Sequence, residues 1–239
     1  MRRALVTGGS GAIGAAICCK LASAGVHIYV HANRHIQRSE ELAEQIRNNG
    51  GSATAVAFDV TDADATSAGL ATISAEGAIQ ILVNNAGIHE DVVMPGMRRD
   101  QWSRVIDVSL HGFFNVTQPL LMPMIRTRWG RVLNISSAAA IVGNRGQVNY
   151  AAAKSGLHGA TKSLSLEIAS RGITVNAIAP GIIATSMSNE AFDEESIARL
   201  VPMKRAGRPE EVAELVAFLS SDKAAYISGQ IISINGGMI

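Results

Sequence analysis

The sequence is poor in cysteine, in aromatic residues and in excess charge of either sign. Its two cysteines, Cys18 and Cys19, are adjacent, so they cannot form an ordinary disulfide and provide no spaced pair for a metal. The chain has 21 Lys and Arg against 20 Asp and Glu, which excludes a generally basic nucleic-acid binder. The longest charge-free runs contain Pro, Asn, Ser or Gln, so we expect no membrane span and a cytoplasmic location.

Short apolar runs alternate with amphipathic stretches along all 239 residues. The runs predict strands at residues 3–7, 26–30, 53–58, 79–84, 131–135, 174–178 and 230–234. Helices are predicted near residues 12–24, 37–49, 62–76, 98–125, 149–170 and 209–221. This rhythm predicts a single α/β domain, residues 1–239, with a doubly wound parallel sheet. Residues 182–207 break the rhythm, and we expect a lid over a ligand crevice there, or alternatively an ordinary surface excursion.

A glycine-rich turn follows the first predicted strand and leads into an apolar helix. Gly9, Gly11 and Gly14 match the pattern G-x-G-x-x-G in the strand–turn–helix setting that the pattern requires. Glycines let backbone N–H groups approach a pyrophosphate, and the helix N-terminus adds positive potential. The turn therefore predicts a dinucleotide site, with a glycine turn that binds nothing as the alternative.

The end of the second predicted strand indicates which dinucleotide binds. An NAD site usually offers a carboxylate about 20 residues after the glycine turn, but no acidic residue occurs between Met1 and Ser39. Arg34 stands near that place and can pair with a 2′-phosphate. The sequence therefore predicts NADP(H). Three histidines at residues 27, 31 and 35 have the spacing of metal ligands on one helix face. The alternation of residues 26–30 indicates a strand, which cannot keep that geometry as far as residue 35, so we predict no metal site.

Tyr150 and Lys154 are four residues apart in an Ala-rich segment of high helix propensity, so they share one helix face. A cation about 5 Å away, at an effective dielectric near 20, should lower the pKa of a phenol by about two. Tyr150 is thus a candidate general acid, and a packed tyrosine beside a solvated lysine is the alternative. Thirteen residues before it, Ser136 and Ser137 end the fifth predicted strand. A serine there can hydrogen-bond a substrate carbonyl or only cap the following turn.

The chain resembles the short-chain dehydrogenase/reductase family from end to end. The motifs that carry the resemblance are residues 7–14, Asp59-Val60, Asn84-Asn85-Ala86-Gly87, Ser137, Tyr150, Lys154, Pro180-Gly181 and Gly236-Gly237. The resemblance implies a Rossmann-type fold whose seven-stranded parallel sheet has the order 3-2-1-4-5-6-7, with helices on both faces.

The resemblance also implies roles for individual residues. Tyr150 would donate the proton, Ser137 would position the carbonyl, and Lys154 would hold the nicotinamide ribose and lower the pKa of Tyr150. The cofactor-binding residues, including Arg34 from the charge argument, would be Gly8, Ser10, Gly11, Ile13, Gly14, Asn33, Arg34, Asp59, Val60, Asn85, Ala86, Gly87, Tyr150, Lys154, Pro180, Gly181, Ile183 and Thr185.

Two positions depart from the family pattern. Ala12 stands where many members have the middle glycine, and an extra methyl group is usually tolerated there. Ser109 stands where the family has a catalytic asparagine, which orients a water that relays protons to the lysine. A serine can hold a water, but its side chain is shorter.

Residues 128–182 look most like bacterial β-ketoacyl-[acyl carrier protein] reductases, and a homotetramer is expected from the family. Residues 98–131 contain six arginines against two acids, a local excess that would steer an acidic carrier protein. By resemblance, Arg128 and Arg171 match carrier-docking arginines, and they should border the crevice. Solvated helix faces are the alternative to a docking patch.

Two other functions stay open at this point. The same hydride chemistry could act on a free ketone, a sugar or an acyl-CoA. A dinucleotide-sensing protein without catalysis is the second alternative; Ser109 alone favours it, whereas the intact Ser137, Tyr150 and Lys154 oppose it. The surroundings of Ser109 also resemble reductases of carrier-bound polyene pathways.

Overall fold

The computed structural model describes residues 1–185 and 192–239. Its strands are β1 (Arg3–Val6), β2 (His27–Ala32), β3 (Ser52–Ala57), β4 (Ile81–Asn84), β5 (Gly130–Ile135), β6 (Ile173–Pro180) and β7 (Ile231–Ile234). They form one sheet in the order β3-β2-β1-β4-β5-β6-β7, and every pairing is parallel. The predicted fold class and strand order are confirmed.

Helices connect these strands on both faces of the sheet. They are α1 (Ala12–Ser23), α2 (Ile36–Asn48), α3 (Ala63–Ser74), α4 (Arg99–Ile106), α5 (Gly112–Thr127), α6 (Ala139–Val142), α7 (Val148–Ile168), α8 (Glu194–Leu200) and α9 (Pro209–Ser220). Local sequence explains several starts. Asp62 accepts hydrogen bonds from the N–H groups of Asp64 and Ala65 at the start of α3, and Pro209 opens α9 with two acids in its first turn.

The helix predicted near residues 98–125 is present from Arg99 to Thr127, but it is not one regular α-helix. Asp107–His111 form a π-helical turn between α4 and α5. Such a turn inserts one extra residue into a helix and is frequent at functional sites. It carries Ser109, so the position that departs from the family pattern sits on the irregular turn.

Two apolar layers hold the sheet between the helices. On one face, α1, α2 and α9 cover side chains of the central strands, with Ile17, Ile46 and Val216 among the buried residues. On the other face, α3, α5 and α7 cover a second cluster that includes Leu70 and Leu120. Because both faces are covered, the central strands are rich in apolar residues, as is usual for parallel sheets.

A chain of polar side chains crosses the second layer near the carboxyl edge of the sheet. The Asn84 Nδ2 donates to Asn134 Oδ1 at 2.9 Å and to Thr117 Oγ1 at 3.0 Å. The Asn134 Nδ2 donates to Thr161 Oγ1 at 2.8 Å. All four residues are buried. Their hydrogen bonds tie β4 and β5 to α5 and α7, the helices nearest the candidate site.

The lid prediction concerns residues 182–207 and falls partly outside the described residues, since Glu190 lies in the gap 186–191. Within the described part, Ile183 and Gly207 form an isolated parallel bridge, so the two ends of the segment meet. The lid itself stays a prediction. Within residues 1–185 and 192–239, no helix combines the length and apolar character needed to cross a membrane.

Candidate active site

The glycine turn between β1 and α1 adopts a conformation that side chains would obstruct. Gly8 has φ of +61°, in the left-handed region that favours glycine. A Cβ at Gly14 would overlap the Gly8 carbonyl oxygen, and one at Gly9 would lie 3.0 Å from the Val6 carbonyl oxygen. Gly11 and Ala12 are exposed at the start of α1, so the turn has room for the methyl group that Ala12 has and a glycine lacks.

The turn can bind an anionic group with its backbone. The first N–H groups of any α-helix have no intrahelical acceptor, and α1 has no acidic residue in its first turn to occupy them. Ser10 and Ile13 are half-buried beside these groups. The conformation, the exposed N-terminus of α1 and the lack of acid together fit the pyrophosphate of a dinucleotide.

Thr7 and Asn85 fasten the glycine turn to the loop that follows β4. The Thr7 Oγ1 accepts hydrogen bonds from the N–H groups of Asn85 and Ala86, both at 3.0 Å. The Asn85 Nδ2 donates to the carbonyl oxygens of Thr7 and Gly8 at 2.9 and 3.0 Å. The glycine turn and the loop after β4 are therefore fastened to each other, and the Asn85 side chain is used to hold the turn.

Asn33 and Arg34 are exposed just beyond the end of β2, where a 2′-phosphate-binding residue was predicted. The positive charge of Arg34 acts on Asp59, at the end of the neighbouring β3. The pKa of Asp59 is lowered, chiefly by the hydrogen bonds from the Thr61 N–H and hydroxyl, with Arg34 as a smaller cause. Val60 is buried beside this carboxylate. The structure thus brings Arg34 to the same end of the crevice as the predicted adenine wall.

Ser137, Tyr150 and Lys154 meet at the carboxyl end of β5. Lys154 is 3% exposed, and its Nζ donates to the Ile135 carbonyl oxygen at 2.9 Å. The same Nζ lies 5.8 Å from the centroid of the Tyr150 ring. A Cβ at Gly87 would lie 3.0 Å from Nζ, so Gly87 leaves room for the ammonium. The predicted catalytic group and the loop after β4 are therefore in direct contact.

The pKa of Tyr150 departs from the expectation. Burial of the phenol raises it above the ordinary value, and the negative charge of Asp91 raises it further, while a hydrogen bond with Ser137 lowers it. The Lys154 ammonium donates to the Ile135 carbonyl oxygen and lies 5.8 Å from the centroid of the phenol ring. The Ser137 hydroxyl therefore favours the phenolate in this geometry, and the lowering of the Tyr150 pKa by Lys154 stays a prediction.

The pKa of Lys154 is lowered to about 8 because burial disfavours its charged form. The ammonium is therefore still the main form at pH 7. A buried cation that is held by one carbonyl is poised to bind a further oxygen, such as a ribose hydroxyl, which is the role the sequence predicts.

Ser109 is 3% exposed, and its Oγ has no hydrogen-bond partner within the described part of the chain. The side chain lines a small cavity with Thr7 and Asn84 that leaves about 10 Å³ for the centre of a water molecule. That volume suits one water, and the polar lining offers it partners. Lys154 does not line this cavity, so the structure places Ser109 near the site without a direct link to the lysine.

The residues at and directly after the end of β6 form another side of the site. Pro180 ends that strand, and Gly181 packs so closely on Asn235 that a Cβ there would lie 2.7 Å from the Asn235 Cβ. Ile183 is buried, and Thr185 is the last described residue before the gap. The segment that was predicted to contact the carboxamide therefore sits at the same edge of the sheet as Tyr150.

Sequence reasoning missed the contacts that fix the loop after β4. Asp91 accepts a hydrogen bond from the Gln147 Nε2 at 2.8 Å, and the Asn149 Nδ2 donates to the Glu90 carbonyl oxygen at 3.1 Å. These bonds hold the loop against the start of α7, directly before Tyr150. No local pattern reveals them, because the partners are 56 and 59 residues apart.

The predicted docking arginines lie elsewhere. Arg128 and Arg171 are exposed on adjacent turns, where the Arg128 Nη2 donates to the Ser170 carbonyl oxygen at 3.3 Å. Both precede their strands, whereas Ser137 follows β5, so a six-residue strand of roughly 20 Å separates the two ends. The prediction that these arginines border the crevice of their own chain is wrong, because they occupy the amino edge of the sheet.

The predicted basic patch is also smaller than the sequence suggests. Arg131 is 2% exposed, with its guanidinium 3.6 Å from Asp222, and cannot steer a partner. Arg98 pairs with Asp100 and Arg104 pairs with Glu90. These arginines are thus buried or paired rather than part of one basic surface.

Comparison with known proteins gives an independent view of the chain. A family model described as short chain dehydrogenase matches residues 2–196. The chain is 44% identical over 236 residues to the 3-oxoacyl-[acyl-carrier-protein] reductase FabG of Aggregatibacter actinomycetemcomitans, with 98% of each chain covered. It is 42% identical over 240 residues to FabG of Staphylococcus aureus, covering 99% of this chain and 98% of the relative. The 3-oxoacyl-[acyl-carrier-protein] reductase of Synechocystis sp. is 42% identical over 238 residues, covering 99% and 96%.

Proposed function

The chain belongs to the short-chain dehydrogenase/reductase family, and from this we propose that it is an NADPH-dependent 3-oxoacyl-[acyl-carrier-protein] reductase. The reaction converts a β-ketoacyl thioester to the β-hydroxyacyl thioester. The observation that carries the proposal is the meeting of Ser137, Tyr150 and Lys154 beside the glycine turn and the loop after β4. The full-length similarity to three reductases of this name supports the substrate class.

The residues of the site divide the reduction between them. When bound, NADPH supplies the hydride that adds to the keto carbon. Tyr150 donates its phenolic proton to the keto oxygen, so that one hydride and one proton add across the C=O bond. The Ser137 Oγ accepts from the Ala139 N–H at 3.1 Å, which leaves its own hydrogen free to donate to the substrate oxygen or to the phenol.

Lys154 contributes charge and position. Its ammonium, buried and held at Ile135, would bind the ribose hydroxyls and stabilise the negative charge that remains on Tyr150 after proton transfer. Because burial already raises the pKa of Tyr150, the phenol keeps its proton until the substrate oxygen begins to accept it. The site is thus set for reduction at neutral pH.

NADP preference is the finer part of the cofactor assignment. Arg34 is exposed at the end of β2, and no acid precedes it in the chain. Arg34 would pair with the 2′-phosphate, which a carboxylate would repel. Arg34→Ala should erase most of an at least tenfold preference for NADPH over NADH, whereas Arg126→Ala, at the opposite edge of the sheet, should keep it. Equal kcat/KM for both cofactors in the unmodified enzyme would overturn the assignment.

The substrate class is tested by oxidation of NADPH with acetoacetyl thioesters. The acetoacetyl group is presented on acyl carrier protein, on coenzyme A and on a short pantetheine. The proposal expects the highest kcat/KM on the carrier protein. Equal kcat/KM on all three supports a reductase of free ketones or acyl-CoA instead, and NADPH binding without turnover supports a sensing protein.

Docking through Arg128 and Arg171 is a separate part of the proposal. Their exposed guanidinium groups suit acidic carrier-protein residues. A carrier bound at the amino edge has to reach a crevice with its extended phosphopantetheine arm, either in the same chain or in another copy. Reversing both charges to Glu should lower kcat/KM on the carrier-bound substrate by tens- to several-hundredfold, and added salt should weaken the unmodified enzyme on that substrate only.

The control for docking reverses the same amount of charge elsewhere. Lys162→Glu with Arg47→Glu changes two exposed cations, one on α7 and one at the end of α2 beside β3, and should leave activity on the carrier-bound substrate little affected. The arginine variant should also keep its activity on pantetheine. If both substrates respond alike to charge reversal and salt, the arginines do not dock the carrier.

A homotetramer of single-domain chains completes the proposal. Exposed apolar side chains, Phe114 and Met122 on α5 and Leu166 on α7, favour association of these helices with other copies. Sedimentation should give about four times the mass of one chain, and a stable monomer at micromolar concentration would contradict this.

A further inference from the structure

We propose that His31 is a positioning residue of the dinucleotide site. Its neutral imidazole accepts a hydrogen bond from the Gly8 N–H, and so joins the glycine turn between β1 and α1 to the predicted adenine wall, Asp59 and Val60. The inference rests on the proposed NADPH-binding function, and it concerns a residue outside every motif described above. His31 is the last residue but one of β2, and it is 1% exposed.

The imidazole bridges two segments with its two nitrogens. The Gly8 N–H donates to Nδ1 at 3.2 Å, and Nε2 lies 2.8 Å from the Phe58 carbonyl oxygen. Phe58 directly precedes Asp59 and Val60, the predicted adenine wall. The His31 ring also contacts the Phe58 ring, with 4.2 Å between centroids.

Only one form of the ring satisfies both contacts. A carbonyl oxygen can only accept, so Nε2 carries the hydrogen and donates to Phe58. A backbone N–H can only donate, so Nδ1 carries no hydrogen and accepts from Gly8. The ring is therefore neutral, with its hydrogen on Nε2. Both nitrogens are engaged, so neither can bind a metal, and no group of potential metal ligands occurs in residues 1–185 and 192–239.

The two bonds matter because they complete the support of Gly8. Its carbonyl oxygen already accepts from the Asn85 Nδ2 and from the Gly11 N–H. The next N–H group, that of Gly9, donates to the His31 carbonyl oxygen at 2.8 Å. His31 thus accepts from two successive N–H groups of the turn, one with its ring and one with its backbone. These N–H groups are turned to β2, which leaves the first turn of α1 to face the pyrophosphate.

Two substitutions separate the two bonds. His31→Asn places an amide oxygen near the position of Nδ1, so it keeps the acceptor for Gly8 and loses the donor to Phe58. His31→Gln places an amide nitrogen near the position of Nε2, so it keeps the donor to Phe58 and loses the acceptor for Gly8. The control is His27→Gln on the same strand and face, where His27 contacts Ser52 far from the turn.

The measurements are the Kd for NADPH from fluorescence of the bound nicotinamide, the KM and kcat with acetoacetyl pantetheine, and the Tm of each variant. His31→Gln should raise Kd and KM for NADPH about tenfold with kcat changed less than threefold. His31→Asn and His27→Gln should bind NADPH within threefold of the unmodified protein. If His31→Asn and His31→Gln lower the Tm equally and bind NADPH with equal Kd, the proposal is overturned. Packing of the ring alone would then account for the effect of either substitution.

Folding does not decide the outcome by itself. If His31→Gln does not fold, His31→Asn carries the test, and a loss of more than tenfold in its NADPH affinity overturns the proposal. Failure of the proposed function looks different, because the unmodified protein would then bind no NADPH, or would bind it without reducing any of the acetoacetyl thioesters.

Discussion

Replacing Lys154 by methionine should make the folded protein more stable while it removes the reductase activity. Methionine has a similar length and no charge, so the change removes a buried ammonium and leaves an apolar side chain among buried neighbours. The buried ammonium of Lys154 thus serves the reaction and lowers the stability of the folded protein, and the apolar core offsets this loss.

The structure sets the size of the effect. Burial lowers the pKa of Lys154 from 10.5 to about 8, and this difference corresponds to about 3 kcal/mol of unfavourable free energy at neutral pH. Methionine also leaves the Ile135 carbonyl oxygen without its donor, which costs roughly 1–2 kcal/mol. The net gain should be about 1–2 kcal/mol, or a rise in Tm of roughly 2–8 °C for a chain of this size.

The pH dependence gives the assay its sign. The unfolded chain binds the Lys154 proton more strongly than the folded chain, so the cost is full below the folded pKa of about 8 and disappears as pH rises toward 10.5. Urea unfolding at fixed protein concentration, at pH 7, 8, 9 and 10, should therefore show the advantage of the Met variant shrinking with pH. Lys162→Met, at an exposed position on the same helix, should show no such trend.

Two results would refute this reasoning. A Lys154→Met variant that is less stable than the unmodified protein at pH 7 would show that the ammonium is well compensated. A difference that stays constant from pH 7 to 10 would show that the lysine titrates normally in the folded state.

Three further predictions concern Tyr150, Ser109 and His31. Tyr150→Phe should lower kcat by several orders of magnitude with NADPH binding retained, and residual activity above a tenth would refute its role as proton donor. Ser109→Asn, which extends an amide into the cavity shared with Asn84, should keep or raise kcat; a severe loss would mean that the serine is itself part of the relay. Burial lowers the pKa of His31 to about 4, although the hydrogen bond with Phe58 and the charge of Asp59 raise it. As the pH falls below 6.5, the unfolded chain therefore takes up the proton before the folded chain does. Between pH 7 and 5 the unmodified protein should lose about 2 kcal/mol more stability than His31→Gln, and equal losses in denaturant titrations would contradict the buried neutral ring.

Local patterns predicted the parts of the site whose partners are close in sequence. The glycine turn follows from the spacing of Gly9, Gly11 and Gly14, and the shared face of Tyr150 and Lys154 follows from helical geometry. The strand order came from the family resemblance, and the structure confirms it.

Features that depend on distant contacts could not be predicted. The direction of the Tyr150 pKa depends on burial and on Asp91, which lies 59 residues away. The role of His31 depends on Gly8 and Phe58, which are 23 and 27 residues away. A count of arginines along the chain likewise cannot show that Arg131 is buried or that Arg128 lies at the amino edge. The π-helical turn has no sequence signal of its own, because Asp107–His111 contain neither proline nor glycine.

The paired asparagines of β4 and β5 also bear on how the chain reaches this structure. Asn84 lies opposite Asn134, while apolar residues fill the neighbouring positions of both strands. A pairing displaced by one residue would turn the side chains of one strand to the opposite face of the sheet. A displaced pairing would separate the two amides and break the hydrogen bond between them, at roughly 1–3 kcal/mol for each group left without a partner. It would also move Ser137 by about 3.3 Å along the strand, away from the loop that carries Gly87. The hydrogen bond between the two amides thus favours the strand alignment that assembles the reaction centre.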